Sequence, residues 1–451
     1  MTASIDGIVS GLGTSDLIAQ LMRVERQPQV QLQRKRDTAQ KVLDAYRSLN
    51  TRFSAIRDAA KALGTATGWE LAKATSSDAA RVSAQATAGA KPGSITFTVD
   101  QLAAAAASVS SGTVSSTGDA VTTSATVFVT KGATTTEVSV GDGSLASVVS
   151  GINTAKIGVT ATAVQVEPGK YKLQLESTTT GADTDISVDD GAGGNPFASS
   201  TLGSVGQLRA GADAKLQVGG PSGYTVTRSS NTISDLLAGV TMTLTKADPA
   251  TSVTVDVAAD AEGLADRVGK LVDTLNAALG EMKSTTAYNA ETKKGGVLLG
   301  ESLVRRLRGD LVLAATDEVP GAALNSPSAA GLSVKADGTL GFDRAKFLDA
   351  YAKDPGAVED VVGTGTGSAA GMAARVAALA QGAVDAGTGL LPSAVEGRQS
   401  EVRSLDRRIA EMDVRLADRE QRLRLHFNSM EAALGRLRQQ GDWLAAQLTR
   451  L

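Results

Sequence analysis

The chain has 451 residues, 42% of them hydrophobic, with a formal net charge of −3. That length suggests roughly three domains of 100–200 residues each, and the apolar share is enough for several ordinary cores. Cysteine is absent and histidine occurs once, as His426, which excludes disulfides, thiolate sites, cysteine nucleophiles and multi-histidine metal centres.

The small net charge gives no sign of a nucleic-acid partner, but it is unevenly spread. Residues 15–63 hold ten Lys/Arg against five Asp/Glu, whereas residues 75–258 hold ten against fifteen. No apolar run approaches the ~20 residues of a membrane-spanning helix. Residues 1–21 lack the basic and apolar regions of a Sec-type signal.

In chain order, residues 1–14 are Gly- and Ser-rich and are expected to be disordered or loosely extended until docked. Thr14 or Ser15 is the expected N-cap of a short helix, with Asp16 in its first turn and Leu17, Ile18, Leu21, Met22 and Val24 as its apolar face. Pro28 marks a break or a new helix start. A long helix is expected from about residue 29 to Leu63, ended by Gly64. Its 3,4-spaced row is Leu32, Ala39, Val42, Tyr46, Leu49, Phe53, Ile56, Ala60 and Leu63, with Lys35 out of pattern.

From about Leu71 the pattern becomes alternating, in Ile95-Phe97-Val99, Val138 with Val140, Val159-Ala161-Ala163, Tyr171-Leu173-Leu175, Leu216 with Val218, Tyr224 with Val226, Met242 with Leu244 and Val253-Val255-Val257. These read as strands, with turns at Pro168-Gly169 and Gly219-Gly220-Pro221. Asp189 to Asn195 reads as a solvated loop, since its acidic spacing does not fit a calcium loop. Residues 144–155 read as one helix within this β region. Helices return over 259–285, 300–315 and from Asp343 to Tyr351. After a flexible joint at 363–371, helix resumes at Met372.

The last stretch carries the strongest signal. Val395, Val402, Ile409, Leu416, Leu423, Met430, Leu437, Leu444 and Leu451 are all apolar at a strict spacing of seven, which winds a left-handed stripe around a helix and demands a partner. This helix is expected to follow Pro392. After Leu423 a second row shifts to Phe427, Leu434 and Leu448. Glu411–Arg415, Asp418–Arg422 and Glu420–Arg424 are spaced as i,i+4 ion pairs, and Gly435 and Gly441 are weak points. His426 reads as a half-exposed seam residue.

Both chain ends therefore carry long heptad helices with everything else hung between them, the sequence of a leg with an inserted head. The leg contact is expected to pair Val42, Tyr46, Leu49, Phe53 and Ile56 with Val402, Leu405, Ile409, Met412, Leu416 and Leu423, antiparallel or bundle-like, with residues 259–315 nearby.

These stretches also resemble a known family. Residues 4–28, SIDGIVSGLGTSDLIAQLMRVERQP, resemble the opening of the flagellar hook-associated protein 2 family, and residues 93–102, GSITFTVDQL, look like its next signature. Residues 144–181 are similar to the repeated hook-and-flagellin motif. Residues 231–245, 271–299 and 331–362 resemble the family's C-terminal half, with Leu275-Asn276 where the family often has Tyr-Asn.

The resemblance implies an α+β multidomain fold with a helical leg from both termini and two inserted antiparallel β head domains, one within the other. The implied division is a mobile assembly segment at 1–40, leg helix at 41–75, a head domain at 76–115 and 204–258 around an outer domain at 116–203, leg helices at 259–425 and an assembly helix at 426–451. It also implies export through the flagellar channel without a cleaved signal, and a cap at the filament tip. The implied partners are other copies in a ring (five by analogy), flagellin, the hook–filament junction proteins and an export chaperone, with no nucleic acid, membrane insertion or cofactor.

The expected self-assembly or filament-docking residues are Leu17, Ile18, Leu21 and Met22 together with Met430, Leu437, Leu444, Leu448 and Leu451. The competing reading is a surface adhesin or filament protein, because the head is Thr-rich. An enzyme is disfavoured, since the chain offers no histidine base outside the heptad helix and no phosphate loop or metal-ligand cluster.

Overall fold

The computed structural model describes residues 13–364 and 369–448, with side chains to Ala445. It divides into two compact units, one made of Met1–Trp69 with Ala265–Leu451 and the other of Glu70–Leu264.

The first unit opens with α1 (Thr14–Glu25) and α2 (Gln27–Leu63). Only Arg26 separates them, and its φ of −78° and ψ of −11° are still helical. Pro28 falls in the first turn of α2, where its missing N–H costs no helical bond. Helix α2 therefore starts earlier than expected, and Thr14 lies inside α1 rather than capping it. The buried row of α2 is Ala39, Leu43, Tyr46, Leu49, Phe53, Ile56, Ala60 and Leu63. Leu43 takes the interior place expected of Val42, which is only half-buried. Gly64 ends the helix by donating to the Ala60 carbonyl at 2.8 Å. The short α3 (Ala66–Trp69) follows, with the Trp69 indole donating to the Leu63 carbonyl.

The second unit is antiparallel throughout. Its inner part consists of β1 (Ala72–Ser76), β2 (Val82–Ala86) and β3 (Gly93–Gln101), later joined by five strands from the far end of the unit. Its outer part contains β4 (Ala107–Ser110), β5 (Thr126–Lys131), β6 (Thr134–Ser139), α4 (Leu145–Ala155), β7 (Val159–Glu167), β8 (Lys170–Ser177), β9 (Ile186–Asp189) and β10 (Val205–Arg209). The chain then returns through β11 (Ala214–Val218), β12 (Tyr224–Arg228), β13 (Thr232–Leu237), β14 (Val240–Leu244) and β15 (Asp248–Ala259).

The inner sheets, in order β1-β15-β3-β11-β12 and β13-β14-β2, share one core around Phe97, Val99, Leu216, Met242, Val253 and Val255. The outer sheets, β10-β4-β8-β7 and β6-β5-β9, share a second core with α4 around Leu145, Ile152, Leu173, Leu175 and Phe197. That core reaches back to Ala106 and Val114 and on to Val205, beyond the expected limits of 116 and 203, because β4 pairs with both β8 and β10. The β7–β8 turn at Gly169, with φ of +71°, and the β11–β12 turn at Gly219 and Gly220 lie where the sequence puts them.

Helix α5 (Ala261–Thr286) re-enters the first unit. The hairpin of β16 (Tyr288–Asn289) and β17 (Lys294–Gly295), then α6 (Ser302–Thr316), and the hairpin of β18 (Leu332–Val334) and β19 (Leu340–Phe342) follow. Helices α7 (Arg344–Lys353) and α8 (Pro355–Val362) are capped by Asp343 and Asp354, each accepting a backbone N–H at 3.0 Å. Helix α9 (Met372–Val384) packs on α2 and α6, and Arg375 donates to the carbonyls of Ala314, Asp317 and Glu318 at the end of α6. Last comes α10 (Leu390–Leu448), 59 residues and about 88 Å long. It begins before Pro392, which its first turn accommodates, and runs through Gly435 and Gly441 unbroken.

Candidate assembly stalk

Within the first unit, α10 lies antiparallel to α2 and α1 in one continuous register. Arg36 pairs with Asp406 at 3.1 Å, Gln29 donates to Asp413, Arg26 faces Glu420 at 3.7 Å and Arg419 meets Glu25 at 3.5 Å. Each step forward on one helix of the pair is a step back on the other. The apolar seam follows the same order, with Ala39 and Leu43 against Val402, half-covered by Val395 and Leu405. Further along, Ile18 and Met22 meet Leu416, with Met412, Leu423 and Phe427 at the sides. Thr14–Glu25 is thus a packed helix within one copy, in contrast to the mobile segment expected there.

Tyr46 marks the top of this two-helix stalk. Its side chain is buried, and its hydroxyl donates to Glu301 at 2.9 Å. Arg398 donates to the other Glu301 oxygen at 2.6 Å and to Glu401 at 2.9 Å. Three chain segments thus meet at one carboxylate: α2, the turn before α6, and α10. Burial, reinforced by the Glu301 carboxylate, pushes the Tyr46 phenol up to about 12.

Above this junction only the first residues of α10, from Leu390, remain, and α2 packs against α9, with Lys61 donating to Gln381 at 3.3 Å. Arg52 bridges to Glu281 on α5 at 2.8 Å. The expected pairing of residues 42–56 with 395–423 is therefore corrected. Of the expected α2 residues, Tyr46 reaches α10 through Glu301 and Arg398, and Leu43 rather than Val42 joins the Val402 cluster, while Leu49, Phe53 and Ile56 are fully buried outside that cluster. Ile409, Met412 and Leu423 line the seam only half-buried.

Of the three expected i,i+4 pairs, Glu420–Arg424 forms at 2.8 Å. Glu411–Arg415 and Asp418–Arg422 do not, since exposed long side chains gain too little from pairing to fix their rotamers.

The expected docking residues split into two groups. Ile18 and Met22 are interior, whereas Leu17 and Leu21 point outward, as does Val24. Leu437 and Leu444 are more than half exposed, Met430 is half-buried, and the Leu448 side chain and Leu451 lie outside the described residues. His426 is exposed. Three further residues belong with this group: Val414, Leu425 and Trp443, all more than 60% exposed. On an ideal helix they fall within about 20° of one another, roughly opposite Leu405, Leu416 and Leu423. Their spacings of 11 and 18 are multiples of the helical repeat, so a second row was present in the sequence beneath the stronger seam. The lower stalk consequently carries exposed apolar side chains on the side away from its seam as well.

Comparison with known proteins gives a consistent picture. Residues 211–439 match the family model described as flagellar hook-associated protein 2 C-terminus, and residues 10–106 match its N-terminus. The A-type flagellar hook-associated protein 2 of Pseudomonas aeruginosa is 27% identical over 100% of this chain and 98% of its own length. The flagellar hook-associated protein 2 of Escherichia coli K12 is 25% identical over 98% and 97%. The solved D1-D2-D3 domains of the Escherichia coli flagellar cap protein FliD align with a TM-score of 0.62 at 26% identity, covering 79% of this chain and 99% of that one.

Proposed function

The chain belongs to the flagellar hook-associated protein 2 family, and on that premise we propose that its lower stalk is the surface through which it assembles at the filament. It is a flagellar filament-capping protein, a structural part of the flagellum. Within that role we infer that copies join in a ring, five by analogy, at the distal end of the filament. There they guide exported flagellin into place and keep it from escaping. Hook–filament junction proteins and an export chaperone are the further partners of this reading, with passage through the flagellar export channel as its route. The division into assembly segments, leg and two-part head is part of the same proposal.

The observation that carries it is the exposed apolar lower stalk. Leu17, Leu21, Val414, Leu425, Leu437 and Leu444 lie open to water in a single copy, and covering each large side chain would contribute about 1.5–3 kcal/mol. The relatives and the family models named above are flagellar hook-associated proteins and do not support the adhesin reading. Gold-labelled protein viewed by electron microscopy tests the proposal. Label confined to filament tips is expected, whereas label along the filament sides would refute it.

A further inference from the structure

Just below the Tyr46 junction the α2/α10 pair carries an open groove of about 420 Å³. Ala39, Val42 and Leu405 are its apolar lining, with Arg34, Lys35, Thr38 and the paired Arg398 and Glu401 around them. Arg408 follows Leu405 by three residues on the same helix, hence on the same face. Of the neighbouring cations, Arg36 is committed to Asp406 and Asp37, and Arg398 to Glu301 and Glu401. Among the described residues Arg34, Lys35 and Arg408 meet no carboxylate. Residues 33–41 and 401–409 together hold seven Lys/Arg against three Asp/Glu, in a chain whose net charge is −3.

Such crowding of like charge on a helix pair is unfavourable, and it borders an apolar strip that two helices cannot close by themselves. We propose that this groove seats a helix from another chain of the filament-tip assembly, one with an apolar row at i, i+3 or i+4, and i+7 flanked by carboxylates. The row would cover Val42 and Leu405, and the carboxylates would meet Arg34, Lys35 and Arg408. An apolar floor between cations fits such a helix better than a nucleic acid or an anionic lipid surface, either of which would engage the cations alone. The proposal rests on the assembly reading for the source of the helix.

The test uses the full chain and a fluorescein-labelled synthetic helical peptide with leucines at those positions and glutamates beside them. Fluorescence anisotropy should show saturable binding. Arg34→Glu with Lys35→Glu should weaken it at least about tenfold, equivalent to 1.4 kcal/mol, as should Arg408→Glu, with circular dichroism unchanged. Arg436→Glu with Arg438→Glu, further down α10, should change it little. Absence of binding, equal weakening by both double variants, or equal binding of a scrambled peptide of the same composition would overturn the proposal. So would binding of a DNA duplex or anionic vesicles through Arg34 and Lys35 in place of the peptide. Peptide binding in a protein that fails to restore filament growth would count against the assembly reading and leave the groove assignment standing.

Discussion

Three asparagine side chains take the place of a strand edge. Asn153 exchanges two hydrogen bonds with the backbone of Ala161, at 2.8 and 2.9 Å, Asn231 does so with Ala103 at 2.7 and 2.8 Å, and Asn276 with Leu340 at 2.7 and 2.9 Å. Each satisfies both backbone groups of a residue on another element. Asn276→Ala leaves the Leu340 N–H and C=O without these partners, and should cost about 2–3 kcal/mol in a urea melt of the first unit. Asn276→Asp keeps the acceptor but loses the donor and should fall between the two.

Tyr46 supplies a second residue-scale prediction. Its pKa is about 12 in the folded chain, against an ordinary value of 10.0. The folded state therefore favours the protonated phenol, and that stability is fully present below pH 10 and lost as pH rises through 12. Urea midpoints measured from pH 9 to 12 should drop for the wild type and drop less for Tyr46→Phe. At pH 8 the Phe variant should be less stable by about 1–2 kcal/mol, having lost a hydrogen bond to a carboxylate. Parallel alkaline curves would show that Tyr46 is not the group responsible.

At the scale of elements, the stalk was the most legible part of the sequence, because nine apolar residues at unbroken seven-residue steps seldom arise except along a helical seam. Its detailed partners were not. Val42 and Leu43 are both apolar, so periodicity alone cannot choose between them, and the register against α10 decides for Leu43. The Tyr46 junction depends on Glu301, 255 residues away, and no local pattern announces it. Strands such as β10 were invisible because four of its five residues are exposed and show no alternation. The register is testable cleanly, since the chain has no cysteine of its own. Leu43→Cys with Val402→Cys should form an intramolecular disulfide under mild oxidation, and Leu43→Cys with Leu416→Cys should not. The opposite result would require a shift of some four helical turns.

For the whole molecule, the second unit is a self-contained insertion. Its first and last strands are paired, Ala72 with Ala259, so its ends leave the sheet side by side, and its two cores draw only on residues within it. Residues 70–264 expressed alone should be monomeric and β-rich, with a cooperative melt. An aggregated product would mean that the strands need the helices. The general division into leg and head could be read from sequence because helical and alternating periodicities segregate along the chain. That the lower stalk's second apolar row is left uncovered could not, because a surface is recognised as unpartnered only when its neighbours are known.

Whether the lower stalk serves assembly and not folding is decided by removing residues 431–451 and measuring filament length, with secreted flagellin beside it, in a strain lacking its own cap. The truncated protein should melt as the full chain does, since among the described residues the last well-buried apolar residue of the seam is Leu416. Filaments should be short or absent, with flagellin released into the medium. Full-length filaments from the truncated protein would contradict an assembly role for these turns.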